Sequence, residues 1–233
     1  MSEPLPILLI PGLLCSPRLF AEQIPALWAH GPVTVADHTR DAGMADIARR
    51  ILAQAPPRFA LIGLSMGGYI AFEVMRQARE RVARLALLDT TARPDAPEQS
   101  ERRRAQIAMA REGRLSEVAD LQFPMMVSAR RQGDASLKAL VHQMAEETGA
   151  SAFVRQQTAI IGRPDSRAGL GDIGCPTLVL VGEDDVTTPP DRAHEMAAAI
   201  AHSTLVVVPD SGHLSTLEQP AAVNAALAAW MDG

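Results

Sequence analysis

The six residues Gly63-Leu64-Ser65-Met66-Gly67-Gly68 constrain this chain more than any other stretch. An apolar run, Phe59-Ala60-Leu61-Ile62, leads into them, and a run of helical character from Tyr69 to Ala78 leads out. A strand must therefore become a helix within a few residues, with Ser65 at the bend. Glycine at 63 and 67 removes Cβ atoms that would meet neighbouring backbone if the serine were pushed out of the sheet in a strained conformation. Gly-x-Ser-x-Gly between a buried strand and a helix is a nucleophile elbow. It holds a serine Oγ at the top of a sheet, and the next helix aims its N-terminal N–H groups at the same point.

At 233 residues the chain suits one α/β domain with an insertion. Hydrophobic residues at 47% supply a large core, and 21% charged residues are ordinary for a globular protein. A net charge of −5 argues against nucleic acid or an anionic membrane as the main partner. No apolar run approaches the roughly 20 residues of a bilayer span. Met1-Ser2-Glu3-Pro4 lacks the basic start and small-residue cleavage site of a signal peptide. Cys15 and Cys175 form no disulfide framework, so free thiols and a cytoplasmic location are expected. The histidines lack ligand spacing, neither cysteine is in a Cys-x-x-Cys pair, and Gly67-Gly68 lack the lysine of a phosphate loop. No metal and no cofactor is expected.

Strands and helices alternate along the first third. Leu5 to Ile10 reads as a buried strand closed by Pro11-Gly12, and Ser16-Pro17 opens a helix with Leu19, Phe20, Ile24, Leu27 and Trp28 on its buried face. Val33 to Asp37 is a second strand, and 41–55 a helix ended by Pro56-Pro57. The elbow strand and helix follow, then a fourth strand over Arg84 to Asp89. This rhythm predicts a parallel sheet with helices on both faces. From residue 90 to about 163 only helical runs occur: 98–112, 116–129, 134–148 and 151–161, broken at Gly113, Gly133 and Gly149. Alternation resumes with strands at 176–182 and 203–208 and helices at 189–201 and 220–231, giving six parallel strands.

Gly63-x-Ser65-x-Gly67-Gly68, Gly182-Glu183-Asp184-Asp185 and Ser211-Gly212-His213 stand at successive strand ends. On these motifs the chain resembles the serine hydrolases of the α/β-hydrolase fold, and among them the small bacterial esterase-like members with a helical cap. The resemblance implies a core of residues 1–90 and 164–233, with residues 91–163 as the cap over the C-terminal ends of the strands. It implies Ser65 as nucleophile, His213 as base and an orienting acid after the fifth strand, because serine needs a positioned base and the base a positioned acid. Asp185, third after Gly182, is the choice; Asp184 is the near rival and Asp89 the distant one. The oxyanion hole would come from the N–H groups of Met66 and Leu13, with Leu14 as the fallback. The usual His-Gly of that loop is Pro11-Gly12 here, so a side-chain role at position 11 is in doubt.

The expected reaction is hydrolysis of a small to medium apolar carboxylic ester through an acyl-enzyme. The same machinery also serves carbon–carbon bond hydrolysis, lactonase and thioesterase activity, and a slow-turnover ligand-binding protein is the alternative outside catalysis. Leu14, Phe123, Met125 and Met126 are the candidate substrate-binding residues, since thioether side chains adapt to irregular apolar groups. Arg102-Arg103-Arg104 could draw an acidic substrate, although a charge run on a helix is usually a solvated face. Cys15 lies close to the oxyanion loop but has no neighbouring base. The expected partner is a small-molecule substrate, and the expected state a monomer or homodimer.

Overall fold

The structure is a computed structural model describing residues 4–233. The first three residues of the stretch tested for a signal peptide lie outside it. The chain runs β1 (Ile7–Ile10), α1 (Gln23–Leu27), β2 (Val33–Val35), α2 (Met44–Gln54), β3 (Phe59–Leu64), α3 (Met66–Ala78) and β4 (Val82–Leu88). Four helices follow: α4 (Pro97–Arg111), α5 (Leu115–Met126), α6 (Ala135–Thr148) and α7 (Ala150–Ile161). The chain closes with β5 (Thr177–Gly182), α8 (Pro190–Ala199), β6 (Ser203–Val208), α9 (Ser215–Glu218) and α10 (Pro220–Asp232).

The six strands form one parallel sheet in the order β2-β1-β3-β4-β5-β6. The chain first steps outward from β1 to the edge strand β2. It then returns to lay β3 on the other side of β1, with Ile10 opposite Gly63. Where the winding reverses, the loops after β1 and β3 part and leave a crevice at the C-terminal ends of the strands.

Both faces of the sheet are covered, so the central strands read as unbroken apolar runs. All six residues of β3 are buried: Phe59 and Leu61 join the apolar cluster on one face, and Ala60, Ile62 and Leu64 the cluster on the other. The edge strands β2 and β6 are only partly buried. The helices between β4 and β5 are tied to both faces. Val118, Ala119, Phe153 and Ile160 join the first cluster, and Phe123, Leu137 and Met144 the second. Among themselves, α4 packs on α7 and α5, and α5 on α6.

The segment after β1 departs from the sequence reading. Ser16 caps a 3-10 turn over Pro17–Phe20, and the α-helical part is only Gln23–Leu27. Pro25 falls in the first turn of that helix, where its missing N–H is tolerated; a continuous helix from residue 16 would have put it in the interior. The apolar stripe therefore stops at Leu27, and Trp28 stands 68% exposed instead of buried. The one-turn helix α9 is an addition to the elements read from the sequence. Among the described residues, no helix is long and apolar enough to cross a membrane, and no group of three or more His, Cys, Asp or Glu could hold a metal.

Candidate active site

At the elbow, Ser65 has φ 54° and ψ −111°, a conformation side chains rarely adopt. Two bonds hold it: its N–H donates to the Leu88 carbonyl at 2.9 Å, and Thr90 Oγ1 donates to its carbonyl at 2.8 Å. The glycines have the reason anticipated. A Cβ at Gly67 would be driven into the Ile10 carbonyl, and one at Gly63 into the Gly67 carbonyl. Crowding of β1, β3 and α3 around the turn leaves the serine Oγ only the direction away from the sheet.

The imidazole of His213 lies fully buried between two partners. Its Nε2 is 2.8 Å from Ser65 Oγ, and its Nδ1 is 2.8 Å from Asp185 Oδ2. Asp185 is itself held: Oδ1 accepts from the N–H groups of Thr187 and Thr188, and Oδ2 accepts from Thr188 Oγ1 at 2.7 Å. A carboxylate fixed in this way favours the tautomer that donates from Nδ1 and leaves Nε2 to accept the serine proton. Burial works against a charged imidazole, but the Asp185 carboxylate, helped by Asp89 and Glu218, outweighs it and raises the His213 pKa above 6.5. Asp184 is exposed and offers its N–H to the Ser211 carbonyl, so it stands outside this array.

Asp89 is not at the imidazole. It is fully buried one layer behind, where Oδ1 accepts from the Gly182 N–H and Oδ2 from Ser215 Oγ. Burial and the nearby Asp185 charge push its pKa up to about 8. Its φ of 44° matches Ser65, Leu14 (59°) and Asp210 (53°) in being positive without glycine; all four follow the C-terminal ends of strands.

In the loop after β1, the Leu14 N–H donates to Gln156 Oε1 at 3.1 Å. Among the described residues, the N–H groups of Leu13 and Met66 have no protein partner. Gln156 is wholly buried on α7 and also lies 3.1 Å from the ring of buried His38, whose Nε2 is 2.9 Å from the Gly12 carbonyl. Burial lowers the His38 pKa, so the ring is neutral and serves as a strut. Burial likewise pushes the Cys15 thiol up to about 12; it contacts the Leu13 carbonyl and is no nucleophile.

The His213 loop is braced by a residue that no sequence motif marks. Glu218, 4% exposed on α9, accepts from the Gly212 N–H through one oxygen and from the Ser128 N–H through the other, both at 2.8 Å. Gly212 itself is needed for closeness, since a Cβ there would strike the backbone of Val127 and Ser128.

Ser65 and His213 open into a cleft of about 240 Å³. Of the four candidate substrate-binding residues, Met125 and Met126 line it. Phe123 does not: it is 2% exposed and packs inward from α5. Leu14 turns instead into a small separate cavity beside Cys15 and Met144. Leu13, Tyr69 and Ile160 add apolar surface, while Arg102, Arg103, Gln99, Gln106 and Gln122 make the remaining wall unexpectedly polar. Arg104 is not part of it.

Comparison with known proteins agrees with this architecture. Residues 7–226 match the model of the alpha/beta hydrolase family. A protein of Mycobacterium tuberculosis H37Rv named non-heme bromoperoxidase BpoC is 28% identical over 232 residues, covering 88% of this chain and 85% of its own. The pimeloyl-[acyl-carrier protein] methyl ester esterase of Nitrosomonas europaea is 27% identical over 176 residues, covering 73% and 70%. The malate-bound structure of a thermophilic esterase from Thermogutta terrifontis superposes with a TM-score of 0.89 at 32% identity, covering 98% of this chain and 89% of that one. The chain belongs to the alpha/beta hydrolase family.

Proposed function

We propose that this member of the alpha/beta hydrolase family, a hydrolase by descent, is a carboxylesterase working through a serine acyl-enzyme, with residues 91–163 as its cap. The observation that carries the reading is the relay from Ser65 Oγ to His213 Nε2 and from Nδ1 to Asp185, each contact 2.8 Å. His213 takes the Ser65 proton as Oγ attacks the ester carbonyl. The oxygen of the tetrahedral intermediate accepts from the Leu13 and Met66 N–H groups. His213⁺, stabilised by Asp185, returns the proton to the departing alkoxide, leaving the acyl group on Ser65. A water activated by the same imidazole then releases the acid. The apolar part of the ester lies against Leu13, Met125, Met126 and Ile160, which share the cleft with Ser65. Two relatives that carry the word esterase in their names point the same way.

The test is hydrolysis of p-nitrophenyl butyrate by the native protein and by Ser65→Ala, with thermal melts of both. Ser65→Ala is expected to lose at least about 10⁴-fold in kcat with no change in melting. A fluorophosphonate should label the native protein at Ser65. Turnover that survives the substitution would remove the reading.

A further inference from the structure

We infer that the cleft is built for an ester carrying a second, anionic group, a carboxylate, that is received by Arg102 on α4. The inference rests on the esterase reading for the bond cleaved, but not for the charge.

No aspartate or glutamate lines the cleft, nor the depression that adjoins it through Tyr69, Gln99 and Arg103. Arginines line both, in a protein whose net charge is −5. Of the arginines in the depression, Arg93 is matched by Glu195 and Arg192 by Asp191. Arg103 and Arg163 are not matched one to one. They share a single carboxylate, Asp95, whose side chain is 1% exposed, at 2.7 Å and 2.6 Å. The other contacts of this pair are with Gln157, backbone carbonyls and the Tyr69 ring, all neutral. One positive charge therefore stands uncompensated just behind the wall. Arg102, exposed beside it, adds a second, with no carboxylate partner among the described residues. Two like charges kept together at a site without acids raise the local concentration of an anion.

The glutamines agree with the arginines. Gln106 Oε1 already accepts from Gln122 and Gln157, and Gln99 Oε1 accepts from the Ala96 N–H. Gln106 has both lone pairs of its oxygen engaged and Gln99 one of two, so amide N–H groups are the larger part of what these side chains have left to offer. Donors with spare protons beside an unpaired guanidinium suit a carboxylate, which only accepts. The methionine side of the cleft would take the apolar stem between that carboxylate and the ester.

Two ester pairs test this, because the anion could sit on either side of the scissile bond. Methyl hexanoate against monomethyl adipate places it on the acyl side; phenyl butanoate against 4-(butanoyloxy)benzoate places it on the alcohol side. In at least one pair, the native protein should prefer the anionic member by about tenfold in kcat/KM, mostly through KM, as for one charge-assisted hydrogen bond. The ratio within the pair should fall to near one in Arg102→Gln and below one in Arg102→Glu. A ratio near one in both pairs for the native protein, or a preference untouched by both substitutions, would overturn the inference. Calorimetry on Ser65→Ala with the same four esters reads binding without turnover. A charge-dependent gap in affinity with no ester cleaved by the native protein would remove the esterase reading and keep the anion subsite. Cleavage that ignores the charge, with no gap, would do the reverse.

Discussion

The cleft is where two differently built regions meet. One is the rim of strand-end loops: Ser65 after β3, Asp185 after β5 and His213 after β6. Each of these side chains is one to five residues from the end of a strand, so the sheet itself fixes the distances between them. The other is the helical segment between β4 and β5. It supplies Met125, Met126, Arg102 and Gln156, and no strand holds it. It is fastened by polar contacts to the rim. The Leu214 N–H donates to the Met126 carbonyl, Thr187 Oγ1 to the Met125 carbonyl, the Ser128 N–H to Glu218, and Arg155 to the Thr39 carbonyl. The difference teaches that the rim fixes the positions of Ser65, Asp185 and His213, while the segment acts on them at second hand and, on the proposed reading, decides what enters. Changes on the rim should abolish activity, and changes in the segment should tune it.

The largest effect that could break this division is at the imidazole. His213→Ala is expected to lower kcat about 10⁴-fold or more, with the fold intact by circular dichroism. The acid limb of the pH profile should lie above 6.5, because neutral His213 is the working form and its pKa is raised. Asp185→Asn should move that limb down as well as slowing the reaction. A profile flat from pH 5 to 8 would separate His213 from the chemistry.

Next in size is Gln156, through which the segment holds the backbone of the loop after β1. Gln156→Ala frees the Leu14 N–H and removes a support of His38. A shift of about 1 Å in catalytic geometry can cost about 10²-fold, so kcat should fall by about that factor while KM holds. An unchanged kcat would mean that the loop after β1 keeps its shape unaided. Glu218→Gln acts more on stability. One of two buried N–H groups loses its acceptor, which should cost about 1–3 kcal/mol in denaturant melts, with activity following only as the His213 loop loosens.

The same division explains what could be read from the sequence. The elbow was legible because its constraints fall within six residues: two glycines crowded by backbone, and a serine between strand and helix. The sheet was legible because strands buried on both faces leave continuous apolar runs. Gln156 and Glu218 were not, because Leu14 lies 142 residues from the one and Ser128 90 from the other, and nothing in a helix marks a side chain as a tether. Phe123 escapes a sequence reading for a similar reason. Proximity groups it with Met125 and Met126, but it packs into the core from α5 while the two methionines line the cleft. The Arg102 to Arg104 run carried a signal, yet its balance depends on Asp95 and Arg163, which only the fold brings together.

The smallest effect on turnover belongs to Asp89, the buried acid behind the rim, whose part is read in stability. In the folded protein it holds its proton up to about pH 8, against 3.8 for an ordinary aspartate. Between those values the folded state binds a proton that the unfolded chain has lost. Stability contributed at this position is therefore complete below about pH 4, declines as pH rises, and levels off above about 8. Asp89→Asn puts a side chain with no titratable group in the same place. The amide oxygen can still accept from the Gly182 N–H, and the amide nitrogen can donate to Ser215 Oγ where the carboxylate accepted. The melting temperature of Asp89→Asn should therefore gain on the native protein steadily from pH 5 to 8 and hold a constant offset beyond. Parallel curves across that range would mean that Asp89 is charged in the fold. The rim would then be backed by a second buried carboxylate, one layer behind the imidazole, adding to the hold of Asp185 on the His213 proton.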